Sequence, residues 1–462
     1  MKIKDIIKSD AGFRYIIESM ELMSSAGRRA MLNTGFTADS AVLETEWERI
    51  STVIHATQNA DSKRAYTDLR HCLMQLHDLQ GTLLSLASHT PLNEVELFEI
   101  KNLSHISTAA RRAIAQLQLE AILPLPDTSA VFALLDPDNT GIANFYVYDT
   151  YDPRLPALRR ELKTLQDHEG DPGRISQLLA EQNDIQNQVC NTLSDRLHEW
   201  APTLATTMEQ MAYADFLLAK ADLAVRWQLC RPTLGGTMRL HGLWNPRLKH
   251  RNEELGMRYQ AVDIELTDGV TLVTGANMAG KTVLLKSVGT AQTMVQCGMF
   301  VPAESAETMP FESVATSIGD EQNEMNGLSS YASEIIKISD IVAQSRSHRL
   351  LALIDEPART TNPTEGKALV EALINIMEQA TSVTLVTTHY DHLAGRCRRL
   401  RVKGFVEDME HTPLTPQNIN RFIDYSLTED HSGEVPHEAL RIATILGCDE
   451  ELIASARQHL DQ

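Results

Sequence analysis

The apolar positions of this chain change their period along its length, and the changes divide it. Up to about residue 130 they recur in steps of three and four: Ile16, Ile17, Met20 and Met23, then Leu69, Leu73, Leu76 and Leu79, followed by Leu83, Leu84 and Leu86. That spacing lines one side of an α-helix, so a helical scaffold is predicted. Thr90-Pro91-Leu92-Asn93 interrupts the pattern, and residues 94–103 resume it. Over 131–155 the helical period fades, and residues 143–147 read as a short strand beside a turn. It returns at Leu158, Leu162 and Leu165, breaks at Gly170-Asp171-Pro172-Gly173, and runs on through 175–200. A last helix over 204–229, rich in Ala, Leu and Met, is predicted to bury more than one face. Arg231-Pro232 and Gly235-Gly236 end it and place a boundary near residue 235.

Strand and helix patterns then alternate. Strands are predicted at 262–273, 313–318, 350–355, 383–388 and 400–405. Helices are predicted at 281–297, 331–343 and 365–377, with a short one after His389. The unbroken apolar run Leu350-Leu351-Ala352-Leu353-Ile354 implies a sheet covered on both faces. Beyond residue 408 a strand at 422–427 and two short helices, 436–446 and 449–460, meet the end of the chain. The fold class expected is therefore a long helical core or lever region (1–235), a P-loop α/β domain (236–407) and a short C-terminal helical element (408–462).

Composition narrows the setting. Apolar residues make up 43% and charged residues 23% of the 462, which suits a soluble globular protein. No apolar run approaches membrane length and the N-terminus has no signal-peptide core, so a cytoplasmic protein without a membrane partner is expected. The six cysteines are scattered without a C-x-x-C pair, as reduced structural thiols are. The net charge of −20 speaks against a surface generally suited to nucleic acid. The densest basic cluster, Arg396, Arg398, Arg399, Arg401 and Lys403, reads as a solvated edge.

The chemistry concentrates at Gly275-Ala276-Asn277-Met278-Ala279-Gly280-Lys281-Thr282, which fits G-x-x-x-x-G-K-[ST]. The motif lies between an apolar strand and a helix. Its glycines allow backbone N–H groups to wrap a phosphate, and the helix N-terminus adds a favourable dipole. Lys281 is positioned to bind the β- and γ-phosphates of ATP, and Thr282 to hold Mg²⁺ through its hydroxyl. Asp355, at the end of the apolar run, is the second Mg²⁺ candidate. Glu356 beside it is the candidate to orient or deprotonate the attacking water, and His389, closing a third strand at Thr387-Thr388-His389, is the candidate to contact the γ-phosphate or position the water. Asp136-Pro137-Asp138-Asn139-Thr140-Gly141 imitates the start of an EF-hand loop. Its twelfth position is Val147 where a bidentate Glu is required, so a turn is expected and calcium is not. His389 and His392 have no third ligand at metal spacing, so no transition-metal site is expected.

These segments together resemble the ATPase domain of the MutS family. Ser317-Ile318-Gly319-Asp320-Glu321-Gln322 and Gly327-Leu328-Ser329-Ser330-Tyr331 resemble segments before and at its signature motif. Pro363-Thr364-Glu365-Gly366 resembles the helix start after its acidic pair, and the details lean towards the second MutS subfamily. The tail is similar to the family's paired dimerisation helices. The resemblance implies a dimer, with itself or a related subunit, in which Ser329 of one subunit reaches the γ-phosphate held by the other. It also implies phosphate-side contact by Asn277, and sensing of Mg²⁺ or water by Gln322. Three departures stand out: Ala279 replaces a usual glycine, Pro357 follows the acidic pair, and Trp244-Asn245-Pro246 occupies an Arg-His-Pro-like element. No mismatch-reading domain and no β-rich clamp is expected in the sequence. Asp355-Glu356-Pro357-Ala358-Arg359-Thr360-Thr361-Asn362-Pro363 resembles the MutS-related reactivases of cobalamin-dependent lysine or ornithine aminomutases. The preferred expectation is thus an ATP-driven remodeller of a protein client such as an aminomutase. The alternative is an ATP-dependent DNA-binding factor of the mismatch-repair type.

Overall fold

The computed structural model describes residues 1–141, 144–168, 170–276, 278–319, 330–405, 422–432 and 439–460. They form two compact units. One comprises residues 1–20, 35–48 and 223–462, and the other residues 21–34 and 49–222.

The first unit holds two sheets. Thr233–Leu234 (β1), Met238–Leu243 (β2), Val262–Leu266 (β3) and Ser305–Thr308 (β5) form the smaller, in the order β1-β5-β2-β3. Gly269–Thr274 (β4), Ser313–Ser317 (β6), Leu350–Ile354 (β7), Val383–Thr387 (β8), Arg398–Phe405 (β9) and Ile423–Glu429 (β10) form the larger, in the order β10-β9-β4-β8-β7-β6. All its pairings are parallel except the edge hairpin β9–β10. The strands β4, β7 and β8 are buried along their whole length, as their unbroken apolar sequences require. Val370, Leu373, Ile374 and Met377 of the helix Pro363–Met377 pack on this sheet.

Several expected elements differ. The run 262–273 is two strands, β3 and β4, divided at Asp268-Gly269, where Gly269 takes φ 95°. The small sheet escaped the sequence reading because β1 and β5 are only two and four residues long and β2 carries exposed Arg239 and His241. No helix follows His389. Residues 389–397 form a loop, with His392 at φ 48° and Gly395 at φ 121°, conformations a helix excludes. The boundary expected near 235 also falls differently, since residues 1–20 and 35–48 pack with the P-loop unit. The helix Ala11–Glu18 buries Phe13, Ile16 and Ile17 there, and Thr37 exchanges hydrogen bonds with Gln296 at the end of the P-loop helix.

The second unit is helical, with no strand among its described residues. Its helices include Lys63–Met74, Glu94–Gln116, Leu155–Asp167 and Pro172–His198. The Asn93 side-chain oxygen caps the second of these by accepting from the Val95 and Glu96 N–H groups, and the Glu96 carboxylate in turn accepts from the Asn93 N–H. The strand expected at 143–147 does not form in its described part, 144–147. Tertiary contacts to Lys101 fix this segment instead. Lys101, fully buried, donates to Asp136 Oδ1 (3.1 Å), to the Asn144 carbonyl (2.9 Å) and to the Tyr148 hydroxyl (2.9 Å). Asp136 also accepts from Thr140 (2.6 Å) and the Gly141 N–H (2.8 Å). The EF-hand-like turn therefore closes around a lysine ammonium.

Candidate functional site

The site is built at the C-terminal ends of β4, β8 and β7. After β4 the chain passes through Gly275 at φ 153° and Met278 at φ 70° to Gly280 at φ 78°, the residue before the helix Lys281–Gln296. A side chain at Gly280 would start 3.0 Å from the Tyr425 ring, so both conformation and space demand glycine. Ala279 lies outside the left-handed region, and its methyl therefore places no strain on this turn. Asn277, Gln322 and Ser329 lie outside the described residues.

Lys281 is buried and donates to the carbonyls of Gly275 (2.7 Å) and Ala276 (3.2 Å), folding over its own loop. Its ammonium is also 3.4 Å from Glu356 Oε1. Thr282 donates to Asp355 Oδ2 at 2.7 Å, and Thr387 donates to Asp355 Oδ1 at 2.6 Å. The Glu356 N–H is bound by Thr387 twice, through its hydroxyl (3.0 Å) and its carbonyl (3.2 Å). Sequence reasoning assigned nothing to Thr387. Its importance comes from strand order, which puts β8 between β4 and β7. A threonine closing an apolar strand next to His389 was the available signal.

His389 keeps a solvent-exposed edge. Burial of the rest of its ring, with Lys281 and Arg359 nearby, holds it below the ordinary imidazole value against the pull of Glu356. Arg359 also lies 3.4 Å from Glu356 Oε2. The site thus joins Lys281, Thr282, Asp355, Glu356 and His389. Its oxygen donors, a threonine hydroxyl and an aspartate carboxylate in direct contact, suit Mg²⁺. Among the described residues no cluster of three His, Cys, Asp or Glu side chains is arranged for a metal.

The basic cluster on β9 differs from a solvated edge. Arg398 pairs with Glu429 (2.7 Å), Arg401 with Asp430 (3.3 Å) and Lys403 with Asp424 (3.4 Å), while Arg399 donates to the Leu393 carbonyl. Antiparallel β10 supplies Asp424 and Glu429, and Asp430 follows it directly. Asp424 is held well below the usual carboxylate range, because hydrogen bonds from Ser426, Gln260 and Lys403 outweigh its partial burial. In the Trp244-Asn245-Pro246 element, Asn245 caps the next helix by accepting from the Leu248 N–H (3.1 Å).

The family model described as MutS domain V matches residues 271–462. Among curated relatives, an "Endonuclease MutS2" of Geobacillus sp. (strain WCH70) is 32% identical over 283 residues, 59% of this chain and 34% of the relative. One of Finegoldia magna is 29% identical over 294 residues, 62% of this chain and 36% of the relative. One of Geobacillus kaustophilus is 35% identical over 260 residues, 55% of this chain and 31% of the relative. The matched part thus spans about a third of the length of these relatives. None of the three carries an aminomutase name, and the aminomutase client expected from the acidic motif gains no support from them. No helix among the described residues is long and apolar enough to cross a membrane.

Proposed function

The chain is a MutS-family member close to the second MutS subfamily, with residues 271–462 as its MutS domain V, and from this premise we propose that it binds ATP with Mg²⁺ and hydrolyses it to drive a conformational change. The observation that carries this reading is the 2.7 Å contact between Thr282, in the first turn of the P-loop helix, and Asp355, at the end of β7. The loop 275–282 wraps the phosphates with its N–H groups, Asn277 among them. Lys281 exchanges its two loop carbonyls for the β- and γ-phosphate oxygens, a stronger charge-assisted contact. Thr282 and Asp355 hold Mg²⁺, which neutralises charge on those oxygens. Glu356 takes a proton from the attacking water, and His389, neutral at physiological pH, orients water or γ-phosphate. Ser329, in the signature segment, reaches the γ-phosphate held by a second subunit in a dimer, and Gln322, in the segment before it, senses Mg²⁺ or water.

The client of this motor is read as a protein. Arg398, Arg401 and Lys403 are each engaged by an acid, Glu429, Asp430 and Asp424, which offsets their charge towards a phosphate backbone. The DNA reading rests on the printed name of the relatives, Endonuclease MutS2. Mg²⁺-dependent phosphate release tests the motor. Glu356→Gln is expected to retain a fluorescent ATP analogue and to lose turnover by about 10²-fold or more; unchanged turnover refutes Glu356 as the base. Salt-dependent capture of duplex DNA with a steep slope would overturn the protein reading.

A further inference from the structure

Immediately after Glu356 the chain enters a turn that an L-residue resists. Glu356 stands at φ 44° and Ala358 at φ 60°. Two left-handed residues separated only by Pro357 are sterically costly, because the side chain crowds the following carbonyl oxygen. Such a turn persists only where its surroundings over-determine it.

They do so at Ala358, which is buried and held at both ends of its backbone. Its N–H donates to Glu334 Oε1 at 2.7 Å, and its carbonyl accepts from the Tyr390 hydroxyl at 2.9 Å. Glu334 belongs to the helix Ser330–Ser345, whose first residues, Ser330 and Tyr331, are the last of the signature-like segment. Tyr390 follows His389. A third element makes room: a side chain at Gly366, in the helix Pro363–Met377, would start 2.1 Å from the Tyr390 hydroxyl and 2.9 Å from the Ala358 carbonyl. Three separate segments therefore converge on one residue, two positions beyond Glu356. Burial raises the Glu334 carboxyl and the Tyr390 phenol, which marks both as partly withdrawn from water. On the other side of the turn, Thr387 fixes the Glu356 N–H.

We infer that Glu334 and Tyr390 are positioning residues, which clamp Ala358 in the left-handed conformation and thereby aim the Glu356 carboxylate at the attacking water. Because Glu334 lies one turn into the helix behind the signature segment, a shift of that helix reaches Glu356 through a single hydrogen bond. The site then couples engagement of the signature region to the base within one subunit. This inference rests on the reading of Glu356 as the hydrolytic base.

The test is steady-state ATP hydrolysis of the full chain with nucleotide binding measured in parallel. Glu334→Ala and Tyr390→Phe should each lower kcat about tenfold while the affinity for a fluorescent ATP analogue stays within twofold. Glu334→Gln keeps a carbonyl acceptor for the Ala358 N–H and should restore most of the loss. The decisive variant is the pair Glu334→Ala with Ala358→Gly. Glycine occupies the left-handed region freely, so the pair should turn over faster than Glu334→Ala alone. Loss of nucleotide affinity in Glu334→Ala, equal defects in the Ala and Gln variants, or no rescue by Ala358→Gly would each overturn the clamp. If the wild type and Glu356→Gln hydrolyse ATP alike, the reading of the base fails instead, which separates the two failures.

Discussion

Thr282 and Asp355 are 73 positions apart in the chain and 2.7 Å apart in space, with the threonine hydroxyl donating to the carboxylate. Thr282 opens the helix that follows β4 and Asp355 follows β7, two strands that β8 separates in the sheet. Thr387, at the end of β8, holds the far oxygen of the same carboxylate at 2.6 Å. Two hydroxyls thus fix the orientation of Asp355.

Removing either hydroxyl should be felt through Mg²⁺. Thr282→Ala deletes a proposed metal ligand and Thr387→Ala its support. The first should raise the Mg²⁺ concentration needed for half-maximal hydrolysis by at least about tenfold, and the second by about tenfold. Thr282→Ser should behave like wild type. A Mg²⁺ titration of phosphate release gives the answer, and identical curves for Thr282→Ala and wild type would remove Thr282 from the metal site.

The second unit carries its own buried pair. Lys101→Met leaves the Asp136 carboxylate buried without its cation and should destabilise that unit by about 3–5 kcal/mol. Replacing both partners, Lys101→Met with Asp136→Leu, should recover part of this loss, as a denaturant titration can measure. Asp136 sits at about 2 because hydrogen bonds from Thr140, Gly141 and Lys101 outweigh its burial. Its ionised form therefore stabilises the fold above the ordinary value of 3.8, and this contribution disappears as pH falls from there towards 2.

His250 sets a milder pH dependence. Its Nδ1 lies 2.9 Å from the Tyr15 hydroxyl, and its ring meets Trp227 at a centroid distance of 4.7 Å. Burial lowers its pKa, with Lys249 and Arg226 adding to the shift and Glu253 opposing it. The folded state therefore binds fewer protons than the unfolded state just below pH 6.5, and stability falls as pH drops through that window. Thermal midpoints followed from about pH 7.5 to pH 5.5 should decline more steeply in wild type than in His250→Asn. Parallel curves would exclude His250 as the source.

The β9–β10 ladder makes a prediction about nucleic acid. Arg398→Gln with Lys403→Gln should leave the salt dependence of any duplex binding unchanged to within about one unit of slope, because both cations are already paired. A slope reduced by about two, measured by anisotropy over a salt series, would place these side chains on phosphates.

Much of the P-loop unit was legible in the sequence because its signals are local. The apolar runs of β4, β7 and β8 declare buried strands, and each ends on the polar residue that the site uses, Thr274-Gly275, Asp355 and Thr388-His389. Elements whose stability comes from elsewhere were not legible. The segment after His389 looked helical, yet His392 and Gly395 take left-handed backbone. Residues 144–147 alternate like a strand, but Lys101 and Tyr148 hold them as a loop.

By itself the sequence determined which residue types stand at the ends of which strands, since a phosphate loop and an acidic pair are contiguous motifs with local steric demands. Tertiary structure alone decided how they meet. Strand order placed Thr387 between Thr282 and Glu356, antiparallel pairing set the β10 acids against the β9 cations, and three distant segments closed on Ala358. Contacts between residues far apart in the chain leave no periodicity behind. They follow from the topology that brings strand ends together and from the need of each buried polar group for a partner.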